Sequence, residues 1–238
     1  MNSQTHSIVR RLVAFAAAIL AINSANANAE EKRMPTVAVL YFDYEGSNAE
    51  LTQLRKGFAQ MLTSDLTEVE SIHVVERARL QEVIQEIDLS KSAKFDPSTA
   101  ARIGKLLGAG YLVLGSYFEV QGHVRFDARL VHTETGRVLK AAGVTARPED
   151  LLDAESKLAD KLRVAIVSAD LKPGKKVAEA RPAGKKEPVS TKAVAAYGRA
   201  LDAIDRTDKP TAQKELKEAL YLSPGFKLAA ADLSRLAL

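Results

Sequence analysis

The sequence predicts an α/β fold, a mixed sheet of about five strands flanked by helices and followed by a helical hairpin. Three observations predict it. TVAVLYF (Thr36 to Phe42) is a continuous apolar, β-branched run, the pattern of a strand covered on both faces. YLVLGSYFEV, VRFDARLVHT and RVLKAAGVTA follow one another across the short turns QGH and ETG, the pattern of an antiparallel meander. Around these stretches, apolar residues recur at helical spacing.

Residues 1–29 stand outside this fold. Arg10 and Arg11 close a basic segment, Leu12 to Ile22 form an apolar run, and NSANANA supplies small residues before Glu30. This layout reads as a secretory signal peptide cleaved between Ala29 and Glu30. Its apolar run falls short of the roughly 20 residues needed to span a bilayer, and no later segment reads as a membrane helix. The chain has no cysteine, which excludes disulfides, thiolate metal sites, cysteine nucleophiles and a lipid carried on cysteine. An exported, soluble, unlipidated chain without disulfides fits a bacterial periplasm. Loss of the signal peptide takes two arginines from a formal charge of +4, leaving +2, which gives no support for nucleic-acid binding.

The elements follow in order. DYEGSN (Asp43 to Asn48) reads as a turn, and Leu51, Leu54, Phe58, Met61, Leu62 and Leu66 then mark a helix. SIHVVE (Ser71 to Glu76) is a second strand, and RARLQEVIQEI (Arg77 to Ile87) a second helix, apolar at Leu80, Val83, Ile84 and Ile87. After a polar stretch, Asp96-Pro97 is a helix-start signal for a helix ending at Gly108. In the meander, Phe126, Ala128 and Leu130 alternate with Arg125, Asp127 and Arg129, as expected of a sheet with one wet face. Pro148 opens a helix through Ala154, Leu158, Leu162 and Ile166. The α/β domain is thus expected over residues 30–170. A basic Pro/Gly/Ala linker follows at 171–190, and a helical tail at 191–238. In the tail, Ala212, Leu216, Ala219 and Pro224 fall at the spacing of the second half of a tetratricopeptide repeat. One such unit cannot bury its own face and must lean on the main domain or on a partner.

Chemical motifs fail on direction and spacing. GKLLGAGYLVLGSY holds Gly104, Gly108, Gly110 and Gly115, but the order is helix, glycines, strand. A phosphate cradle needs the reverse, because a helix C-terminus carries partial negative charge. Gly108 instead suits a left-handed cap, Gly110 a tight turn into the strand, and Gly104 close packing of its helix on the sheet. His73, His123 and His132 form no helical metal pair. Asp43 and Glu45 follow the first strand at the carboxyl edge where open α/β sheets bind ligands, but they lack calcium-loop spacing. No catalytic, cofactor or metal site is expected.

Together, TVAVLYFDYEGSN, HVVERARLQEVIQEIDLS and AARIGKLLGAGYLVLGSY resemble the CsgG family, the curli production assembly and transport component. A related arrangement occurs in the amino-terminal domain of TolB and in TolB-like proteins with tetratricopeptide repeats. The resemblance covers about Pro35 to Leu162 and implies the anticodon-binding-like fold of that TolB domain. Arg77 and Leu80 fall on the family's Arg-x-x-Leu, and Gly108, Gly110 and Gly115 on its helix-to-strand joint. It implies a non-enzymatic periplasmic protein, at most peripheral to the outer membrane, that acts as an assembly or adaptor factor. Its partners would be envelope or secretion proteins, with a homo-oligomer allowed, and it would take no cofactor. The partner-binding candidates are Asp43, Glu45, Tyr197, Leu201, Leu216 and Leu220. The family's founding member is a lipidated outer-membrane ring that exports curli subunits. This chain lacks the lipid-bearing cysteine, and it has only QGH where the first membrane hairpin would be inserted. An oligomeric channel is therefore the alternative reading.

Overall fold

A computed structural model describes residues 34–87, 97–169 and 189–237. The expected signal peptide, the expected Asp96 helix cap and residues 171–188 of the expected linker lie outside the described residues. The chain divides into Met1–Met34 and Pro35–Leu238, and the architecture below is that of the second unit.

Strand β1 (Thr36–Val39) lies inside the sheet, parallel to β3 (His73–Val74) on one side and to β4 (Tyr111–Val120) on the other. Its alternation explains the continuous apolar run. Val37 and Val39 enter one core while Ala38 and Leu40 enter the other, and all four are at most 2% exposed. β4, β5 (His123–His132) and β6 (Val138–Ala146) form the expected antiparallel meander, with a register irregularity between Leu130 and Val131. The first hairpin turns on Gln121 and Gly122, both at positive φ (51° and 75°), the geometry of a two-residue primed turn.

The sheet has six strands rather than about five. Asp43–Tyr44 form β2, which pairs parallel with Ser116 and Tyr117 of β4. The segment read as a turn is therefore a strand at its start. β4 is ten residues long and β1 only four, so β4 extends beyond β1 and takes β2 as a partner there. Asn48 then caps the following helix, its side-chain oxygen accepting from the Glu50 and Leu51 N–H groups.

Helices cover both faces. On one lie α1 (Ala49–Thr52), α2 (Leu54–Thr67) and, after a 3₁₀ turn at Pro148–Asp150, α5 (Leu151–Ala169). Their core is a chain of aromatic rings: Phe58 stacks on Phe126 at 4.2 Å between centroids, and Phe42 meets Phe58 edge-on at 5.1 Å. On the other face, α3 (Arg77–Ile87) and α4 (Pro97–Leu107) bury Leu80, Val83, Ile103 and Leu107 against Ala38, Leu40, Leu112 and Val131.

The tail folds as α6 (Thr191–Asp205), α7 (Lys209–Leu222) and α8 (Lys227–Ala237). It leans on its own domain. Ala193, Val194, Tyr197, Ala200 and Leu201 share one core with Leu54, Phe58 and Leu62 of α2. Small residues make that approach possible. A Cβ on Gly198 would overlap the Gln53 carbonyl oxygen, and one on Gly57 would stand 2.7 Å from the Val194 carbonyl oxygen. The two helix backbones touch where both lack a side chain.

Candidate interaction site

The carboxyl ends of β1 and β3 carry a cluster of charge that joins the domain to its tail. Tyr41 follows β1, Lys56 lies in the first turn of α2, and Arg77 opens α3 after Val75 and Glu76, the two residues that follow β3. Asp202 and Asp205 reach them from the last turn of α6. Lys56 Nζ is 2.5 Å from Asp202 Oδ1 and 2.6 Å from Asp205 Oδ2, and Arg77 pairs with Asp205 Oδ1. The Lys56 ammonium also lies 5.2 Å from the centre of the Tyr41 ring, whose hydroxyl donates to Gln81 Oε1 at 2.8 Å.

The Asp205 pairs are enclosed, whereas Asp202 is 38% exposed. Side-chain exposure is 7% for Asp205, 17% for Arg77 and 19% for Lys56. Burial, followed by the charge of Asp205, pushes the Tyr41 hydroxyl up to about 12. Burial also works against the Arg77 charge, but the Asp205 hydrogen bond and charge outweigh it and raise the guanidinium above its ordinary value. Both aspartates sit at a helix C-terminus, where the macrodipole is already negative. An isolated α6 would be weakened by them, so the cations of α2 and α3 supply the compensation. The enclosed pairs add little net stability, but removing Asp205 strands Lys56 and Arg77 at a cost of up to about 3–5 kcal/mol, while the half-exposed Asp202 contributes less.

Of the sequence-derived residues, Arg77 stands in this cluster and Leu80, 3% exposed, anchors α3 in the second core. Gly108 has φ of +64°, as a left-handed cap requires. Gly115 makes room for the Phe42 ring, which a Cβ there would overlap. Gly110 is different: its nearest neighbour to an added Cβ would be the Thr36 carbonyl oxygen at 3.9 Å, so no close approach requires glycine. Its carbonyl accepts the Thr133 N–H, and the Thr133 hydroxyl donates to the neighbouring Ala109 carbonyl at 2.8 Å, which ties the joint to the end of β5. Asp43 pairs with Arg55 at 2.8 Å, and Glu45 is exposed while its N–H donates to the Tyr117 carbonyl.

The tail candidates lie in the protein's own core. Tyr197, Leu201 and Leu216 are 0%, 1% and 0% exposed, and Leu220 packs against the same core partly buried. These side chains hold the tail together and to α2, because the faces that periodicity marks as apolar are consumed within the chain. The Tyr197 hydroxyl donates to Asp232 at 2.7 Å, and its ring meets Phe226 edge-on. Tyr197→Phe is expected to lower stability by about 1 kcal/mol, read as a fall in the urea midpoint, since it removes one hydrogen bond and keeps the ring. Lys56, Tyr41, Asp202, Asp205, Gly57 and Gly198 escaped sequence reasoning. The one local signal was a pair of acids in the last turn of a helix.

Among the described residues no group of three or more His, Asp or Glu is placed to hold a metal ion, and no helix is long and apolar enough to cross a membrane.

A curated relative, "Putative adenylate cyclase 3" of Rhizobium meliloti (strain 1021), is 23% identical over 208 residues, covering 86% of this chain. The chain spans about a third of that relative's length (33%). Among solved structures, the LpoB C-terminal domain from Salmonella enterica is 17% identical with a TM-score of 0.38, covering 53% of this chain and 92% of that one. Lipoprotein GNA1162 from Neisseria meningitidis is 16% identical at 0.39, covering 59% and 99%. A PelC dodecamer from Paraburkholderia phytofirmans is 12% identical at 0.31, covering 55% and 86%. The family model for the curli production assembly/transport component CsgG matches residues 21–121, ending at the first hairpin turn of the meander. All three sequence blocks fall inside that range. Over residues 21–121, this chain matches the CsgG family model.

Proposed function

We propose that the protein is a non-enzymatic periplasmic assembly or adaptor factor for an envelope structure or secretion system. The observation that carries the reading is the CsgG family match across residues 21–121. The protein works through its surfaces, and residues 1–29 act as an export signal. The cyclase name is that of a relative of which this chain spans about a third, and it is not carried over to this chain. Crosslinking in living cells followed by pull-down tests the proposal. It is expected to recover an envelope or secretion protein above background, and recovery of none counts against it.

A second reading, an oligomeric outer-membrane export channel, is favoured by the transport half of the family description. Mass measurement of the exported protein with and without lipid separates the two. A large ring formed with lipid supports the channel, and a monomer or dimer indifferent to lipid supports the adaptor.

A further inference from the structure

We propose that the surface formed by Lys56, Gly57 and Arg77 is a docking site for the acidic carboxyl-terminal end of an amphipathic helix. α6 fills it in cis, and a partner helix of the same design can take its place. The choice of an envelope protein as that partner rests on the adaptor reading; the dock itself does not.

The ligand helix shows what the site recognises. Val194, Gly198, Asp202 and Asp205 recur at offsets of 0, 4, 8 and 11, one face of a helix. Gly198 lets that face meet the backbone of Gln53, the N-cap of α2, with Gly57 of α2 clearing space for the Val194 carbonyl. Four and seven residues beyond Gly198, Asp202 and Asp205 reach Lys56 and Arg77. Close approach and charge are thus read at fixed spacing, a steric and an electrostatic filter acting together.

The receptor and its ligand are also separate parts of the chain. Gln53, Lys56, Gly57 and Arg77 fall within residues 21–121, whereas Asp202 and Asp205 lie far beyond them. Arg77 and Asp205 are 128 positions apart. The two carboxylates oppose the dipole of their own helix, so the sequence of α6 is suited to a docked helix and poorly suited to a free one. The partner chemistry follows: a helix with a small residue at the crossing point and carboxylates four and seven residues further on. Such a helix binds only when α6 leaves, because both use the same two cations.

The test uses the full chain and a labelled synthetic peptide of residues 189–207 as probe. Asp202→Asn with Asp205→Asn removes both charges with little change of shape, and Gly198→Ala pushes α6 off the Gln53 carbonyl while leaving every receptor residue unsubstituted. Amide exchange reports whether α6 is released, and circular dichroism whether the sheet stays folded. In a released variant the peptide is expected to bind at least about tenfold tighter than to the wild type, whose dock is occupied. Adding Arg77→Gln is expected to cost at least about tenfold in affinity, and raised salt to weaken binding. Equal binding to wild type and variants overturns the proposal. So does failure to bind a folded variant with α6 released, indifference to Arg77→Gln, or α6 staying protected in both variants. Peptide binding with an empty crosslinking result retires the adaptor reading and keeps the dock, and a crosslinked partner without peptide binding does the reverse.

Discussion

Gly198→Ala is expected to destabilise the protein by about 2–4 kcal/mol, although alanine is the better helix former by about 1 kcal/mol. The added methyl would overlap the Gln53 carbonyl oxygen, a backbone atom that cannot rotate aside. Relief requires α6 to move off α2 as a body. That movement loosens the contacts of Val194, Tyr197 and Leu201 and stretches the pairs from Asp202 and Asp205 to Lys56 and Arg77. Arg77 and Lys56 then lose the buried Asp205 carboxylate as their counterpart, where little water can replace it. The steric and electrostatic losses have the same sign and exceed the propensity gain. Urea unfolding is the measurement, with the slope compared to check that only stability has changed. A midpoint equal to or above the wild-type value would show that the helix crossing is not the constraint described. Gly57→Ala, with its methyl 2.7 Å from the Val194 carbonyl oxygen, is expected to lose less.

The meander was the most legible part of the fold. Phe126, Ala128 and Leu130 are 0%, 1% and 0% exposed, and Arg125, Asp127 and Arg129 face the wet side, because strand alternation needs no knowledge of distant partners. β2 was not legible. Asp-Tyr-Glu-Gly-Ser-Asn has turn composition, and only the surplus length of β4 makes Asp43–Tyr44 a strand. The second strand shrinks to His73–Val74 for a related reason: it is the sheet's edge and pairs with β1 alone.

For the candidate site, the family pattern picks out Arg77 but not what it holds. Its partner lies 128 positions away, and no periodicity links the two. The tail helices were legible as helices, but their apolar faces could not say whether they cover a partner or their own domain. That choice depends on the Gly57–Gly198 approach, and a glycine within a helical pattern reads locally as a mere weakness.

Glu155 is where the apolar stripe of α5 contains an acid, and it sets the second large effect. Leu151, Ala154, Leu158 and Leu162 share its face, and Glu155 is 0% exposed. Burial, then repulsion from Asp160 and Glu68, pushes its carboxyl up from 4.5 to about 8. The folded protein therefore holds this proton where the unfolded chain has released it. The contribution to stability is fully present below about pH 4.5 and is lost as pH rises toward 8, at up to about 1.4 kcal/mol per pH unit. Glu155→Gln keeps the shape and cannot ionise, so its stability should lack this slope. Urea unfolding of both proteins at pH 5, 7 and 8.5 is expected to show curves diverging with pH. At pH 8.5 the variant should be ahead, relative to its standing at pH 5, by several kcal/mol, on the order of 3–5. The comparison between two pH values cancels whatever the amide gains or loses in its own hydrogen bonds. Parallel pH dependence in the two proteins would mean that Glu155 is already ionised in the fold, and that its neighbours in the α2–α5 layer stabilise the charge.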